Sequence, residues 1–350
     1  MKKNALKNCD FVKTILMLMV ILGHSCAFWS GNWFTRNPAV GSDSLNIFYQ
    51  LLRAFHIYAF VLVSGYIFCF KVLSGGYNEY IPFLKNKAKR LLIPYVFVMI
   101  VWVVPLTSLF FGFDLRQLFI TYILCIDPSQ LWFLWMLFGV FAVIWPIRKL
   151  MINRPVIGWF IACIFYVIGK VGNNILPNVF CVWNTCEYIL FFYIGIRIRT
   201  KEEKGSRIYS ESIPFYVWAA LFIIIFIVNQ YVNIQYTEYN MAGVYTKLIR
   251  TGCQFFLHFV GAVAAWATLQ KLAEISTPQN NRLFRTLSSY TMPMYLFHQQ
   301  IIYFTIWWLN GVVDPWINAL VNFVVALVIS FLISTLLMKW KPTRLLIGEK

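Results

Sequence analysis

The chain has 350 residues, 60% of them hydrophobic and only 12% charged, with a mean hydropathy of +0.67. Soluble domains carry about 25% charged residues, so a soluble globular protein is excluded and a polytopic membrane protein is implied. The net charge of +17 does not point to nucleic acid, because the basic residues fall between apolar runs, where they set orientation in a membrane.

The expected fold is all-α and integral to the membrane, one domain over 1–350 with no appended soluble domain. Ten spans are expected, near 11–29, 46–70, 91–111, 131–149, 155–170, 181–198, 214–229, 250–271, 289–309 and 316–338. The fifth and seventh read as short, and 115–126 reads as an interfacial or re-entrant helix. Lys2, Lys3 and Lys7 precede the first apolar run, but no small-residue cleavage site follows it, so it reads as an uncleaved span. With the N-terminus inside, the inner segments hold twenty-three Lys and Arg and the outer loops five, namely Arg36, Arg116, Lys170, Lys247 and Arg250. That asymmetry supports an even span count and cytoplasmic termini.

The first span carries ionisable groups where a span normally carries none. Lys13 and His24 are eleven residues apart, three helical turns plus roughly 20°, so they lie on one face about 16 Å apart along the axis, and Asp10 shares that face. Ionisable groups inside a span are costly and usually functional. His24 suits a general base, its unperturbed pKa being near neutrality. Lys13 also has a bland reading, as a side chain that snorkels or pairs with Asp10 at i,i+3. Its shared face with His24 raises a second one. A cytoplasmic donor with an anionic head and a long thin arm wants a cation at the inner mouth and its chemistry about 16 Å deeper. Coenzyme A has that shape.

The second span enters from outside with Arg53 and, one turn later, His56, at a depth similar to His24. Loop 77–90 is rich in Lys, and its Lys89 and Arg90 suit phosphate, although orientation alone also explains a basic inner loop. Glu187 begins the sixth span and is placed to orient a histidine or pair with Arg53; the alternative is an interfacial carboxylate facing water. His258, among Phe255, Phe256 and Phe259, reads as structural, and His298 has no assigned role. The outer loop 230–250 offers Tyr231, Tyr236, Tyr239, Tyr245, Asn233, Gln235, Asn240 and Glu238, groups that suit sugar binding and equally an ordinary aromatic belt. Eight cysteines are scattered without metal-ligand spacing; Cys181 and Cys186 alone are placed to meet, near the outer face.

Six segments in order carry a resemblance. They are Lys13 and His24 with ten residues between; Phe55-His56 through Ser64-Gly65-Tyr66; Lys89-Arg90-Leu91-Leu92-Ile93-Pro94-Tyr95; Leu131-Trp132-Phe133-Leu134; Phe191-Phe192-Tyr193-Ile194-Gly195; and Ser289-Tyr290 through Tyr295-Leu296-Phe297-His298. Together they resemble acyltransferase family 3, the integral-membrane O-acyltransferases of bacterial cell-surface glycans, in its short stand-alone type. The chain departs at Tyr58, where proline is commoner in the family. The resemblance implies an acyl group, commonly acetyl, passed from cytoplasmic acyl-CoA to a hydroxyl outside, with Lys13 on the donor and His24 catalytic.

The expectation is therefore an O-acetyltransferase of the bacterial cytoplasmic (inner) membrane, using acetyl-CoA and no metal, with a saccharide or glycan acceptor. His24 is the base, Arg53 or His56 stabilises the oxyanion, and Lys13, Lys89 and Arg90 hold the donor head. A flippase for a glycan or lipid-linked intermediate would also line a central path with charge, and a non-catalytic assembly partner would tolerate loss of His24.

Overall fold

The computed structural model describes residues 2–31, 33–204, 213–238, 243–276 and 281–349. Within them every regular element is helical. Nine stretches are long and apolar enough to cross a membrane. The helices are α1 (Lys2–Cys26), α2 (Asp43–Arg53), α3 (His56–Leu73), α4 (Tyr80–Val98), α5 (Val104–Phe111), α6 (Leu115–Leu118), α7 (Trp132–Asn153) and α8 (Pro155–Ile175). They continue with α9 (Val182–Glu203), α10 (Phe215–Glu238), α11 (Val244–Ser276), α12 (Arg282–Ser289), α13 (Thr291–Leu309), α14 (Pro315–Leu337) and α15 (Lys341–Leu346).

The ninth expected span, 289–309, is α13, which is not among these nine stretches. His298, Gln299 and Gln300 at its middle pull its hydropathy down. It nonetheless runs from one end of the bundle to the other, parallel to α1. Phe284, just before it, packs on Phe11 with ring centroids 5.6 Å apart, and Trp307 meets Phe34 at 6.5 Å. Helix α14 returns antiparallel. Asn322 Nδ2 donates to Ser25 O at 3.2 Å, and Trp316 Nε1 donates to Ser44 Oγ at 3.2 Å. The start of α1 and the end of α14 therefore lie at one end of the bundle. The fifth and seventh spans are not short: α8 and α10 run 21 and 24 residues. Segment 115–126 is helical over 115–123, as α6 and a π turn.

Local sequence explains several boundaries. Ser42 caps α2 by accepting from Leu45 N, and Asp314 with Pro315 opens α14. Pro105 has no N–H for the Val101 carbonyl, and the chain widens there into a π turn over Met99–Val103 that joins α4 to α5. The expected span 46–70 is the largest departure. It breaks at Ala54–Phe55 into α2 and α3, with no proline or glycine to announce it.

The centre of the bundle is α1, α3, α9 and α13; α8, α10 and α14 turn apolar side chains outward. Helices α3 and α9 approach most closely, at two glycines. A Cβ on Gly65 would lie 1.9 Å from Phe192 O, and one on Gly195 would lie 2.0 Å from Leu62 O. Both obstacles are backbone, so neither can move aside. Small residues at such a contact let two backbones pack where lipid supplies no hydrophobic drive. We expect Gly65→Ala to destabilise the bundle by about 1–3 kcal/mol, read as a lower melting temperature in detergent, and Ser64→Ala to leave it near wild type.

Candidate active site

The break between α2 and α3 frees carbonyls inside the apolar slab, where each needs a donor. Two histidines bond carbonyls at this break, one at Leu52, which also accepts from Phe55 N at 3.3 Å, and one at Ala54. His56 Nδ1 lies 2.5 Å from Leu52 O, and His258 Nδ1 lies 3.0 Å from Ala54 O. A carbonyl only accepts, so both Nδ1 atoms carry the proton. His298 follows the same rule, with Nδ1 2.7 Å from Tyr295 O. Its Nε2 is therefore bare when the ring is neutral.

His24 completes the set. Its Nδ1 lies 2.7 Å from His298 Nε2, with the ring planes within 4°. Since His298 Nε2 accepts, His24 Nδ1 donates, and the lone pair of a neutral His24 sits on Nε2. That nitrogen has no protein hydrogen-bond partner among the described residues. A backbone carbonyl thus sets the tautomer of His298, which sets that of His24. The logic is that of a carboxylate fixing a catalytic imidazole, with an imidazole in the carboxylate's place.

His24 lines a cavity of about 960 Å³, together with His56, Arg53, Glu187 and Tyr58. Four of the sequence-derived candidates are thus brought together. His56 sits beside the first helix: its Cε1 is 3.8 Å from where a Cβ on Gly23 would be. Arg53 is exposed, and on α2 rather than on the helix that carries His56. Glu187 is buried and pairs with neither Arg53 nor a histidine. Its Oε1 is 2.7 Å from Nζ of Lys170, which belongs to α8 and not to an outer loop.

The remaining wall is the segment before α7, tied to α13 by amides. Gln130 Nε2 donates to Leu296 O at 3.0 Å and to Gln300 Oε1 at 2.8 Å, and Gln299 Nε2 reaches Ser129 Oγ at 2.9 Å. Cys125, Asp127 and Ser129 all adopt positive φ, at 54°, 59° and 52°. Such conformations cost about 1–3 kcal/mol each and persist where surrounding bonds over-determine them. Sequence reasoning left out Lys170, Gln130 and Gln299 and gave His298 no role. The run His298-Gln299-Gln300 inside an expected span was the available signal.

Lys13 lies at the other end of α1. Its Nζ is 2.8 Å from Asp10 Oδ1, the i,i+3 pair, and it does not line the cavity. The cavity descends along α1 to Val20, which leaves about 10 Å of helix to Lys13. Lys89 and Arg90 are exposed at this same end. The C-terminal residues pack on it too, since a Cβ on Gly348 would meet Arg90 O at 2.6 Å. Burial pushes the Glu349 carboxyl above its ordinary pKa, against the pull of Arg90 and Lys13.

Segment 230–250, expected as an outer loop, is helical over 230–238 as the end of α10 and over 244–250 as the start of α11; Tyr239 and Asn240 fall outside the described residues, as do the side chains of Tyr236, Glu238 and Tyr245. Asn233 lines a second cavity, and Tyr231 is exposed. Cys181 and Cys186 are free thiols and form no bridge.

A family profile described as an acyltransferase domain matches residues 6–339. The chain belongs to acyltransferase family 3 and is a membrane acyltransferase. No curated protein and no solved structure matches it.

Breaking the Lys170–Glu187 pair leaves a buried carboxylate uncompensated, which costs more than the pair itself is worth. Lys170→Met should lower stability by about 1–3 kcal/mol, and Lys170→Met with Glu187→Gln should recover part of the loss. Thermal unfolding of the single and double variants measures both.

Proposed function

We propose that this family member is an O-acetyltransferase of the bacterial cytoplasmic membrane, moving acetyl from acetyl-CoA to a hydroxyl of a saccharide. The observation that carries this reading is the bare Nε2 of His24, held toward a polar cavity by His298. In the transfer, His24 Nε2 takes the proton of the acceptor hydroxyl as its oxygen attacks the thioester carbonyl. The carbon–sulfur bond then breaks, and the coenzyme A thiolate takes that proton back from His24. Ester and thiol are the products, and the imidazole returns to its starting tautomer.

The tautomers also divide the roles around it. With its Nδ1–H on Leu52 O, a neutral His56 has no proton left to offer an oxyanion. The guanidinium of Arg53, exposed on the cavity wall, suits that task. Glu187 holds the Lys170 ammonium at the same wall.

The basic end of the bundle faces the cytoplasm in this reading. Lys13, Lys89 and Arg90 form the rim that receives the phosphorylated head of the donor. The arm follows α1 toward Val20, and the acceptor enters from the opposite end.

His24→Ala should lower kcat by about 10²–10⁴-fold while the protein still inserts and folds. His298→Ala should lower kcat at least about tenfold with little change in the KM for acetyl-CoA. His298→Gln should recover part of that loss, because its amide oxygen can accept the His24 Nδ1–H. Wild-type transfer by purified His24→Ala would end the mechanism. A separate measurement addresses the donor rim: Lys13→Ala should weaken acetyl-CoA binding and Lys13→Arg should not, and equal affinity in all three proteins would remove Lys13 from the donor site.

A further inference from the structure

A second cavity, of about 840 Å³, opens between α2, α10 and α11. It is within the size range that encloses a drug-sized ligand. Its construction runs against its surroundings. Helix α10 belongs to the outer layer, and Ile223, Ile224, Ile227 and Val228 are exposed along it. Yet Asn229, Gln230 and Asn233 line the chamber. Amides on a membrane helix are costly unless hydrogen-bonded. Gln230 is bonded across the gap, with Nε2 donating to Gln50 Oε1 at 2.8 Å. Asn229 is not satisfied in this way. It is 5% exposed, and its Oδ1 has no hydrogen-bond partner among the described residues. Gln254 on α11 adds a further amide, and His258 an aromatic face.

The two cavities adjoin. Tyr49, Arg53, Tyr58 and Lys170 line both. Tyr58 stands in the dividing wall, its ring between Tyr188 at 5.1 Å and His258 at 4.1 Å. Any molecule that places a hydroxyl at His24 and extends past Arg53 reaches the second chamber. Amides that both donate and accept, beside aromatic faces, match the hydroxyls and C–H faces of a pyranose ring.

We infer that the second chamber binds the saccharide unit next to the one being acylated, so that the acceptor is an oligosaccharide or polymer rather than a single sugar. Asn229 Oδ1 accepts a hydroxyl of that neighbouring unit. This rests on the saccharide reading above and adds to it a subsite and a minimum acceptor length.

The test uses the full-length protein in detergent, acetyl-CoA, and surface polysaccharide purified from the source cell and stripped of O-acyl groups by mild alkali. Asn229→Ala and Gln254→Ala are compared with wild type after both have passed size-exclusion as single species. Losing one hydrogen bond to a neutral ligand should raise the KM for the polysaccharide roughly three- to tenfold in each variant. The kcat and the KM for acetyl-CoA should not change. An unchanged polysaccharide KM in both variants, beside normal wild-type transfer, overturns the chamber and leaves the acetyltransferase reading intact. A fall in kcat without a change in KM gives Asn229 a structural role and overturns the subsite as well. Wild-type protein that hydrolyses acetyl-CoA but acylates no polysaccharide overturns the saccharide reading itself, and this inference with it.

Discussion

A carbonyl freed inside a bilayer has no water to bond, and leaving it unpaired costs several kcal/mol. Much of the site follows from that constraint. His258 answers it at the break, with Nδ1 on Ala54 O; His56 adds a second donor to Leu52 O, which Phe55 N also bonds, and His298 bonds Tyr295 O within the unbroken α13. Each bond is structural in origin and chemical in consequence, because it fixes which nitrogen keeps a lone pair. His24 is the exception. It donates to an imidazole whose state is already fixed, so its own tautomer is inherited from a backbone carbonyl one step away. His298 orients His24 where a carboxylate could, and Glu187 is committed to Lys170.

The first helix was legible in the sequence because its signal is local. Charge and imidazole in an apolar run, at a spacing of eleven, stand out without knowledge of any partner. The helix breaks were not. Residues 43–64 contain neither proline nor glycine to mark the break at Ala54–Phe55, and Arg53 and His56 on either side of it are not helix breakers. The break is stabilised by His56 nearby and by His258 some two hundred residues away, and the second partner leaves no trace in the local pattern. Lys170 was misplaced for a related reason. Read as the end of a short span, it becomes a loop residue, whereas α8 continues to Ile175 and keeps it against Glu187. Helix α13 shows the converse: the polar run that lowers its hydropathy is the run that builds the cavity wall.

The bundle separates two demands along one helix. Lys13 and its basic neighbours lie at one end of α1, and His24 with its polar cavity lies toward the other. Between Lys13 and Val20 the helix is packed, with Leu16 and Met17 buried. Under the proposed function, a donor arm crossing that stretch has to displace side chains rather than enter an open tunnel. Such a seal has a use, since an open channel of polar lining would leak ions and protons between the two sides. The strained segment around Cys125–Ser129 and the close α3–α9 contact hold the rest of the site rigid around this one packed stretch.

Tyr58 joins these threads. In the family that the chain resembles, proline is commoner at this place, and proline at the third position of α3 would leave no phenol in the wall. Here the ring fills the space between Tyr188 and His258 and faces both cavities. It is an amphipathic side chain in an amphipathic position, its ring packed on α9 and α11 and its hydroxyl at a polar boundary. His258 is thereby drawn into the site by its contact with Tyr58, although its hydrogen bond to Ala54 O already has a structural purpose. A residue that both bonds a helix break and backs the wall between two chambers couples the shape of the second chamber to the break that positions Arg53 and His56. Changing the ring at position 58 therefore alters both the wall between the two cavities and the packing against Tyr188 and His258.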